Sequence, residues 1–352
     1  MDADRVKEAA RTIAGTLNGT MTAAMIHLGD RMGFYRALAD GSPRSSRQLA
    51  DELSLDERWV REWLHQQAAA GILQHEGGSF CLEEETALLL SDENHPAFLG
   101  GMFGHLPQQI AVVEKLPEAF RTGLGLPYDA FGPEGAVGVE RGFAPWLRTL
   151  LVPMALPRLP GVVEALAGGV EVADVGCGGG VALLEMAKAF PNSRFHGFEI
   201  SLHALERAAQ NRREAGVENV TFHDARRNPL PDDGRYAFVT TFDCLHDMTD
   251  PAGVIETIRA AIRDDGLWFI AEVKAHPTLQ ENVERNPMAA MMYGVSVLSC
   301  MSSSLSEPGG AGLGTLGLDA TRLEAMVKRA GFSSLEEVEL RHPVNAFYAV
   351  RP

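Results

Sequence analysis

The most constraining feature of the sequence is a glycine-rich loop between two apolar segments. The first segment covers residues 171–175, and glycines follow at positions 176, 178 and 180. Glycines allow positive φ angles and let a ligand approach bare backbone amides, which a Cβ would obstruct. A dinucleotide-binding GxGxxG motif starting at Gly176 would need a further glycine at position 181, which is Val181. The pattern predicts a strand, a ligand-binding loop and a helix; the alternative is an ordinary glycine-rich turn.

Two further predicted strands end in acidic residues. The segment 193–199 ends in Glu199, and the segment 219–223 is followed by Asp224. In doubly wound folds an acid about 20 residues beyond the glycine loop lies at the end of the next strand and binds a ribose. Either acid alone would more often be a solvated loop residue. Together with the loop they predict contacts to a bound cofactor.

The C-terminal half alternates between strand and helix patterns. Strands are predicted near 170–175, 194–199, 219–223, 236–242 and 266–273, with helices near 180–190, 202–215 and 251–263. A helix near 319–330 and strands near 335–340 and 345–350 complete the chain. This alternation is typical of an α/β doubly wound, Rossmann-like sheet, and we assign it to a domain covering residues 161–352.

The N-terminal part, residues 1–95, has a mostly helical pattern that indicates a winged helix. A long amphipathic region over 4–39 precedes a capped short helix at 45–53, a helix over 57–70 and a hairpin around Gly77 and Gly78. The second helix mixes Arg58 and Arg61 with acids, and the wing continues into three glutamates, residues 83–85. Those acids would face phosphate. The pattern therefore favours a homodimerisation or substrate-capping domain, and nucleic acid as a partner is disfavoured.

Composition restricts the classes of protein that the chain can represent. The 352 residues carry a net charge of −16, which repels nucleic acid, and their length indicates two domains. The four cysteines show no CxxC pairing, so neither disulfides nor a structural zinc site is predicted, and a cytoplasmic location fits. No signal peptide pattern is present, and the longest uncharged apolar segment, 288–301, is too short to cross a membrane.

Two segments are candidates for binding a substrate. Residues 96–160 form a long connector rich in apolar side chains, and residues 274–317 are inserted between the fifth strand and the last helix. Base rates favour core packing for most of these side chains. The Ser302–Ser304 run and the glycines near 309–312 predict a mobile lid. The predicted substrate pocket comprises Phe103, Phe143, Trp146, Met291, Met292 and Tyr293.

The catalytic candidates follow the fourth and fifth strands, at the edge where α/β sheets place their ligands. His246 is predicted as a general base, since imidazole accepts protons near neutral pH. Asp247 orients that histidine or caps the helix that begins near Pro251. Glu272 is the second candidate for orienting the base or the substrate. No metal-ligand spacing occurs nearby, so no metal is predicted.

The loop, Asp174-x-Gly176-x-Gly178-x-Gly180, resembles motif I of the class I methyltransferases that use S-adenosylmethionine (SAM). The resemblance implies that the loop holds the amino acid end of SAM, that Asp174 helps to orient it, and that S-adenosylhomocysteine is the product. It also implies that Glu199 binds the ribose and Asp224 the adenine amino group. The cofactor contacts implied in this way are Asp174, Gly176, Cys177, Gly178, Glu199, Ile200, Asp224, Ala225, Phe242 and Asp243.

The whole chain resembles a group of bacterial methyltransferases with a winged-helix N-terminal region. The Leu245-His246-Asp247 step is similar to that of plant-type small-molecule O-methyltransferases, although Met248 replaces the tryptophan that often follows there. The resemblance implies SAM-dependent O-methylation of a small, largely apolar molecule with His246 as the base. Two alternatives stay open: a SAM-binding winged-helix transcriptional regulator, or an N-, S- or C-methyltransferase that needs no base.

Overall fold

The computed structural model describes all 352 residues, and the chain divides into two compact units. Unit 1 contains residues 1–107 and 141–149, and unit 2 contains residues 108–140 and 150–352. The connector predicted over 96–160 therefore has residues in both units. The N-terminal unit also extends beyond the predicted boundary at residue 95.

Unit 1 begins with helices whose ends follow local sequence signals. Helix α1 (Ala3–Met32) ends at Gly33, which has a φ of +78°, and α2 (Phe34–Ala37) follows, so the region predicted as 4–39 is two helices. Ser45 and Gln48 form a capping box at the start of α3 (Ser46–Leu53). The carboxylate of Asp56 caps α4 (Glu57–Ala69).

The wing of unit 1 is a short antiparallel hairpin of β1 (Gln74–Glu76) and β2 (Ser79–Cys81), as predicted. Helices α5 (Glu84–Leu90) and α6 (Gly100–Gly104) follow it. Large side chains from these elements and from α1–α4 share one core, which includes Ile26, Phe34, Tyr35, Leu38, Leu49, Val60, Trp63, Leu64 and Phe80. Burial of these apolar groups stabilises the unit.

Short helices cover the stretch before the large sheet. They are α7 (Leu106–Ala111), α8 (Leu116–Thr122), α9 (Gly132–Trp146), a π-helical stretch Leu147–Ala155, α10 (Val162–Gly168), and 3₁₀ turns at Val113–Lys115, Tyr128–Phe131 and Leu156–Arg158. No single helix of the chain has the length and apolarity to cross a bilayer. One pair, Tyr128–Arg158 with Val162–Gly168, meets the test only when joined across a 108° bend.

Unit 2 is built on a seven-stranded sheet in the order β5-β4-β3-β6-β7-β9-β8. Strands β3 to β7 are parallel, and β9 is antiparallel to both of its neighbours. The strands are β3 (Glu171–Val175), β4 (Arg194–Glu199), β5 (Val220–Asp224), β6 (Tyr236–Phe242), β7 (Ile262–Val273), β8 (Ser334–Glu337) and β9 (Asn345–Arg351). The predicted Rossmann-like doubly wound sheet is confirmed.

Helices connect the strands of this sheet. They are α11 (Val181–Ala189), α12 (Leu202–Ala215), α13 (Pro251–Ala261) and α17 (Ala320–Arg329), with α14 (Leu279–Arg285), α15 (Ala289–Val295) and α16 (Met301–Ser304) in the insertion. The strand order reverses between β3 and β6. A crevice therefore opens at the carboxyl ends of these two strands, where ligands bind in such sheets.

The segment predicted as a mobile lid is packed against the loop that follows β6. Ser302, Ser303 and Ser304 are buried, which an open lid would not require. Ser304 Oγ donates a hydrogen bond to Met248 O over 2.7 Å, and Gly314 N donates to His246 O over 3.1 Å. The hydroxyls and amides of this segment pair with polar backbone atoms of the loop, and its mobility stays a prediction.

Two glycines at helix ends separate the cost of backbone strain from that of crowding. Gly180 and Gly216 have φ angles of +75° and +66°, but a Cβ on Gly180 would lie 2.4 Å from the Phe222 ring, whereas one on Gly216 would meet open space. We expect Gly216→Ala to cost about 1 kcal/mol of unfolding free energy through strain, and Gly180→Ala about 2–4 kcal/mol because overpacking is added. Urea denaturation measures both, and equal losses would contradict the predicted packing.

Candidate active site

The glycine loop lies directly against the ends of two strands. Gly176 has a φ of +74°, and a Cβ there would lie 2.8 Å from both Cβ and Sγ of Cys244. Gly178 has a φ of +53°, and its amide donates a hydrogen bond to Glu199 Oε2 over 2.9 Å. Positive φ and crowding together require glycine at Gly176, whereas a Cβ on Gly178 would meet open space and only its positive φ favours glycine.

Glu199 ends β4 and is held by backbone amides. Its Oε1 accepts hydrogen bonds from the amides of Ile200 and Ser201, each 2.8 Å long. Burial raises the pKa of Glu199, although these amides oppose the shift. The strand register pairs Glu199 with Asp224 at the end of β5, and Ala225 N donates to Glu199 O over 2.9 Å. The two predicted cofactor acids are therefore neighbours.

Asp174, which precedes the loop, is fully buried in the sheet. Its Oδ1 accepts a hydrogen bond from Thr240 Oγ1 on β6 over 2.8 Å. Burial raises the pKa of Asp174 to about 7, the bond to Thr240 opposes the shift, and the charge of Glu199 adds to it. Thr240 is a residue that sequence reasoning missed, since its role depends on the pairing of β3 with β6.

Asp243, which follows β6, has an unusual backbone and an unpaired oxygen. Its φ of +50° is rare for a residue other than glycine. Its Oδ1 accepts a hydrogen bond from Asn345 Nδ2, whereas Oδ2 is buried without a hydrogen-bond partner. Burial, followed by the charge of Glu272, raises the pKa of Asp243 to about 8. Such a strained, unsatisfied acid is typical of a ligand contact. The preceding residue, Phe242, packs edge-on against Phe269.

His246 and Glu272 form a buried pair after β6 and within β7. The Nδ1 atom of His246 lies 2.7 Å from Glu272 Oε2, and Leu245 N donates to Glu272 Oε1 over 2.9 Å. An ionised carboxylate only accepts hydrogen bonds, so Nδ1 donates its proton in the hydrogen bond to Glu272, and Nε2 is the nitrogen that can exchange a proton with another group. Glu272 thus orients the ring. The alternative role of Asp247 as a helix cap is wrong, because Asp250 caps α13 through Gly253 N.

The charge of Glu272 controls the ionisation of His246. Burial alone lowers the pKa of the imidazole, but the negative charge of Glu272 and hydrogen bonds to Glu272 and Cys300 outweigh it, so the pKa is raised well above its usual value. Burial raises the pKa of the neighbouring Asp247 to about 7, against the effect of His246. The protonated form of the histidine is therefore stabilised by its own orienting partner.

Three residues outside the predicted set approach the site within unit 2. The carboxylate of Glu140 lies against the glycine loop, where a Cβ on Gly179 would approach its Oε2 to 2.5 Å. Asp129 Oδ1 accepts a hydrogen bond from Ser201 Oγ over 2.5 Å. Burial, with the charges of Asp247, Cys300 and Glu199, raises the pKa of Tyr128, which places its phenol among the site's titratable groups. Local sequence carries no signal for these contacts, since all three residues come from the connector.

The predicted pocket residues are distributed over both units. Phe103, Phe143 and Trp146 belong to unit 1, while Met291, Met292 and Tyr293 belong to unit 2. Met292 is buried in an apolar cluster with Val273, which directly follows Glu272, and Tyr293 packs on this cluster. Met291 is 46% exposed. The insertion therefore contributes to an apolar cluster that includes Val273, the chain neighbour of Glu272.

Replacing Glu272 by Gln keeps a hydrogen-bond acceptor and removes its charge. We expect His246 to stay protonated well above its ordinary pKa of 6.5 in the wild type, and to lose its proton at lower pH in Glu272→Gln. A raised folded-state pKa stabilises the fold below the unfolded-state pKa, and this contribution disappears as pH rises through the folded-state value. Histidine NMR titration measures the pKa. An unchanged His246 titration in the variant would contradict the assignment.

Two family models match the sequence. The model described as "Methyltransferase domain" matches residues 166–331, and the model described as "Rv2258c-like winged HTH domain" matches residues 20–92. The ubiquinone biosynthesis O-methyltransferase of Haemophilus ducreyi is 31% identical over 110 residues, which are 30% of this chain and 46% of that protein. The chain thus matches about half the length of such curated relatives.

Solved structures extend the similarity to the whole chain. An O-methyltransferase family protein from Burkholderia thailandensis aligns with a TM-score of 0.69 at 17% identity over 97% of each chain. Human N-acetylserotonin methyltransferase, solved in complex with SAM, aligns with a TM-score of 0.67 at 17% identity, also over 97% of each chain. At this identity the likeness shows the fold. Together with the family models, it shows a chain in which residues 166–331 match a methyltransferase domain and residues 20–92 match a winged helix-turn-helix domain.

Proposed function

We propose that the protein transfers a methyl group from SAM to a hydroxyl of a small, largely apolar molecule, with His246 as the general base. The observation that carries the proposal is the buried pair of His246 and Glu272, which engages Nδ1 and leaves Nε2 to exchange a proton with an acceptor. The pair lies at the carboxyl edge of the same sheet as the glycine loop. An apolar cluster that contains Met292 and Val273, the chain neighbour of Glu272, supports an apolar acceptor.

The residues present fit SAM, which carries a sulfonium and an ammonium charge. Asp174, Glu199 and Asp243, whose pKa values are raised by burial, lie at the crevice. A cation bound there would stabilise their ionised forms. Asp243 Oδ2 lacks a partner, and a Cβ on Gly178 would occupy space in the loop that no other atom of the chain fills. The residues that would hold the cofactor are Asp174, Gly176, Cys177, Gly178, Glu199, Ile200, Asp224, Ala225, Phe242 and Asp243.

When bound, SAM supplies an activated methyl group. The chain's own part is to hold the acceptor hydroxyl in line and to take its proton on His246 Nε2, and such positioning accounts for a large share of catalysis. Glu272 keeps the proton on Nδ1 and stabilises the imidazolium that forms. Because the pKa of His246 is raised, the rate is expected to rise with pH above the neutral range.

The presence of an oriented base favours a hydroxyl over other acceptors. A thiolate or a neutral amine already carries the reactive lone pair and gains nothing from a base. A hydroxyl must lose its proton as the new bond forms. The pairing of Glu272 with His246 would have no chemical purpose in an enzyme that needs no base.

Removing the imidazole separates chemistry from binding. We expect His246→Ala to lower kcat by about 10²–10⁴, because the base is lost, while SAM affinity stays nearly constant. Turnover with a panel of phenolic acceptors, together with SAM calorimetry, measures both quantities. Full activity in this variant would point to an acceptor that needs no base.

Glu199→Ala provides the opposite result as a matched control. It removes the partner of the Gly178 amide and the proposed ribose contact, so SAM affinity should fall by about 1–3 kcal/mol. The histidine pair should keep its titration. If neither SAM nor S-adenosylhomocysteine binds the wild type, the proposed cofactor is wrong.

The winged helix raises the alternative of a SAM-binding regulator, but its cations are paired. On α4, Arg58 lies 2.5 Å from Glu62 and Arg61 lies 3.4 Å from Glu57. Arg44 pairs with both Asp40 and Glu52. Residues 1–95 contain 9 Lys and Arg against 16 Asp and Glu, a net charge of −7. A phosphate backbone would meet few free cations here, so DNA binding is disfavoured.

We propose instead that α1 forms a homodimer interface. The first 21 residues of the chain are exposed, and within α1 they carry a stripe of apolar side chains at helical spacing: Val6, Ile13, Leu17 and Met21. Helices in proteins gain most of their stability from packing of an apolar face against a partner surface. A second copy of the same stripe would bury these groups by two-fold symmetry.

Adding a charge to the stripe tests this interface. We expect Ile13→Lys to convert a dimer to a monomer, because Ile13 is 65% exposed in the single chain and would be buried between two. Thr12→Lys places the same charge on the opposite face of α1 and should leave the dimer intact. Light scattering after size exclusion measures the mass. A monomeric wild type would contradict the proposal.

A further inference from the structure

We propose that His246, Asp247 and Cys300 bind one soft divalent cation of the zinc class, and that this ion silences the base. One donor atom from each of the three side chains lies within 4.8 Å of the other two. No spacing along the chain indicates this set, because Cys300 comes from a distant helical turn, Ser296–Cys300. The fold alone brings the thiol to the histidine.

The donor set suits zinc better than magnesium or calcium. Thiolate, imidazole and carboxylate are the ligands of zinc sites, whereas the hard cations require oxygen ligands. Tetrahedral zinc holds its donors about 3.5 Å apart. The three donor atoms, which lie within 4.8 Å of one another, would come closer together by rotation of their side chains. Three protein ligands leave a fourth position open.

Glu272 supplies the outer partner that zinc-binding histidines require. In such sites the nitrogen that does not bind the metal donates its proton to a carboxylate, which fixes the ring and raises its basicity. Glu272 Oε2 lies 2.7 Å from Nδ1 of His246, so Nε2 is left for the ion. Both His246 and Cys300 are buried, at 3% and 9% exposure. Little water therefore competes with an ion for their donor atoms.

The consequence for activity rests on the proposed function. Binding would release the thiol proton of Cys300 and the Nε2 proton of the imidazolium, and the ion would occupy Nε2, the atom that takes the proton from the acceptor hydroxyl. The loaded protein could still hold SAM, because the glycine loop and Glu199 make no part of the ion site. Zinc should therefore stop turnover without expelling the cofactor, and a chelator should restore it.

The test titrates the chelator-treated, full-length protein with Zn²⁺ against a chromophoric competitor, and repeats the titration with Co²⁺. We expect one ion per chain, with a thiolate-to-cobalt charge-transfer band. Cys300→Ser should lose this band and most of the affinity, and Glu272→Gln should weaken binding by about 10–100-fold. Cys81→Ser, which changes a half-buried thiol of unit 1, is the matched control and should bind as the wild type does.

The outcomes distinguish the ion site from the proposed function. No bound ion in the wild type, or equal binding by Cys300→Ser with an unchanged circular dichroism spectrum, would overturn the site. Zinc binding with full turnover would overturn the silencing. A protein that binds zinc through Cys300 but never methylates a hydroxyl would keep the site and refute the O-methyltransferase proposal.

Discussion

Five carboxylates gather at the carboxyl edge of the parallel strands, and the cost of burying them constrains everything around them. Asp174, Glu199, Asp243, Asp247 and Glu272 all lie on or just after strands of this edge. A buried charge without a partner costs several kcal/mol. Three of these carboxylates have different hydrogen-bond donors. Backbone amides donate to Glu199, the Thr240 hydroxyl donates to Asp174, and the His246 imidazole donates to Glu272. At Asp243, one oxygen accepts a hydrogen bond from Asn345, and Oδ2 has no hydrogen-bond partner.

Local sequence predicted the parts of this site that neighbouring residues determine. The glycines at 176 and 178, the strand-end acids and His246 all follow from short patterns, because the edge of a parallel sheet is fixed by strand length and loop position. Glu140 against Gly179, Asn345 beside Asp243, and Cys300 near His246 join segments that are distant in the chain. Spacing cannot report such contacts, since only the folded topology brings them together.

The serine-rich segment, Ser302–Ser304, is packed more closely than its composition indicates. Serine and glycine together suggested a mobile lid, since both lack apolar surface that would anchor them. In the structure Ser304 Oγ donates to Met248 O and accepts from Gly312 N, so the same small polar groups tie the insertion to the loop that carries His246. Small size permits close approach, and hydroxyls supply the polar partners that a buried backbone requires. The segment therefore helps to hold the loop that carries His246 in place.

The charge around His246 affects both of its proposed roles, as a base and as a metal ligand. Glu272 makes His246 a stronger base by stabilising its charged form, and the same carboxylate makes Nε2 a stronger metal donor. A proton and a soft cation therefore compete for one atom, and both gain from the negative charge behind the ring. An uncharged partner would weaken the affinity for both together. Discrimination must then come from the remaining ligands, and Cys300 is the group that a metal needs and proton transfer from a hydroxyl does not.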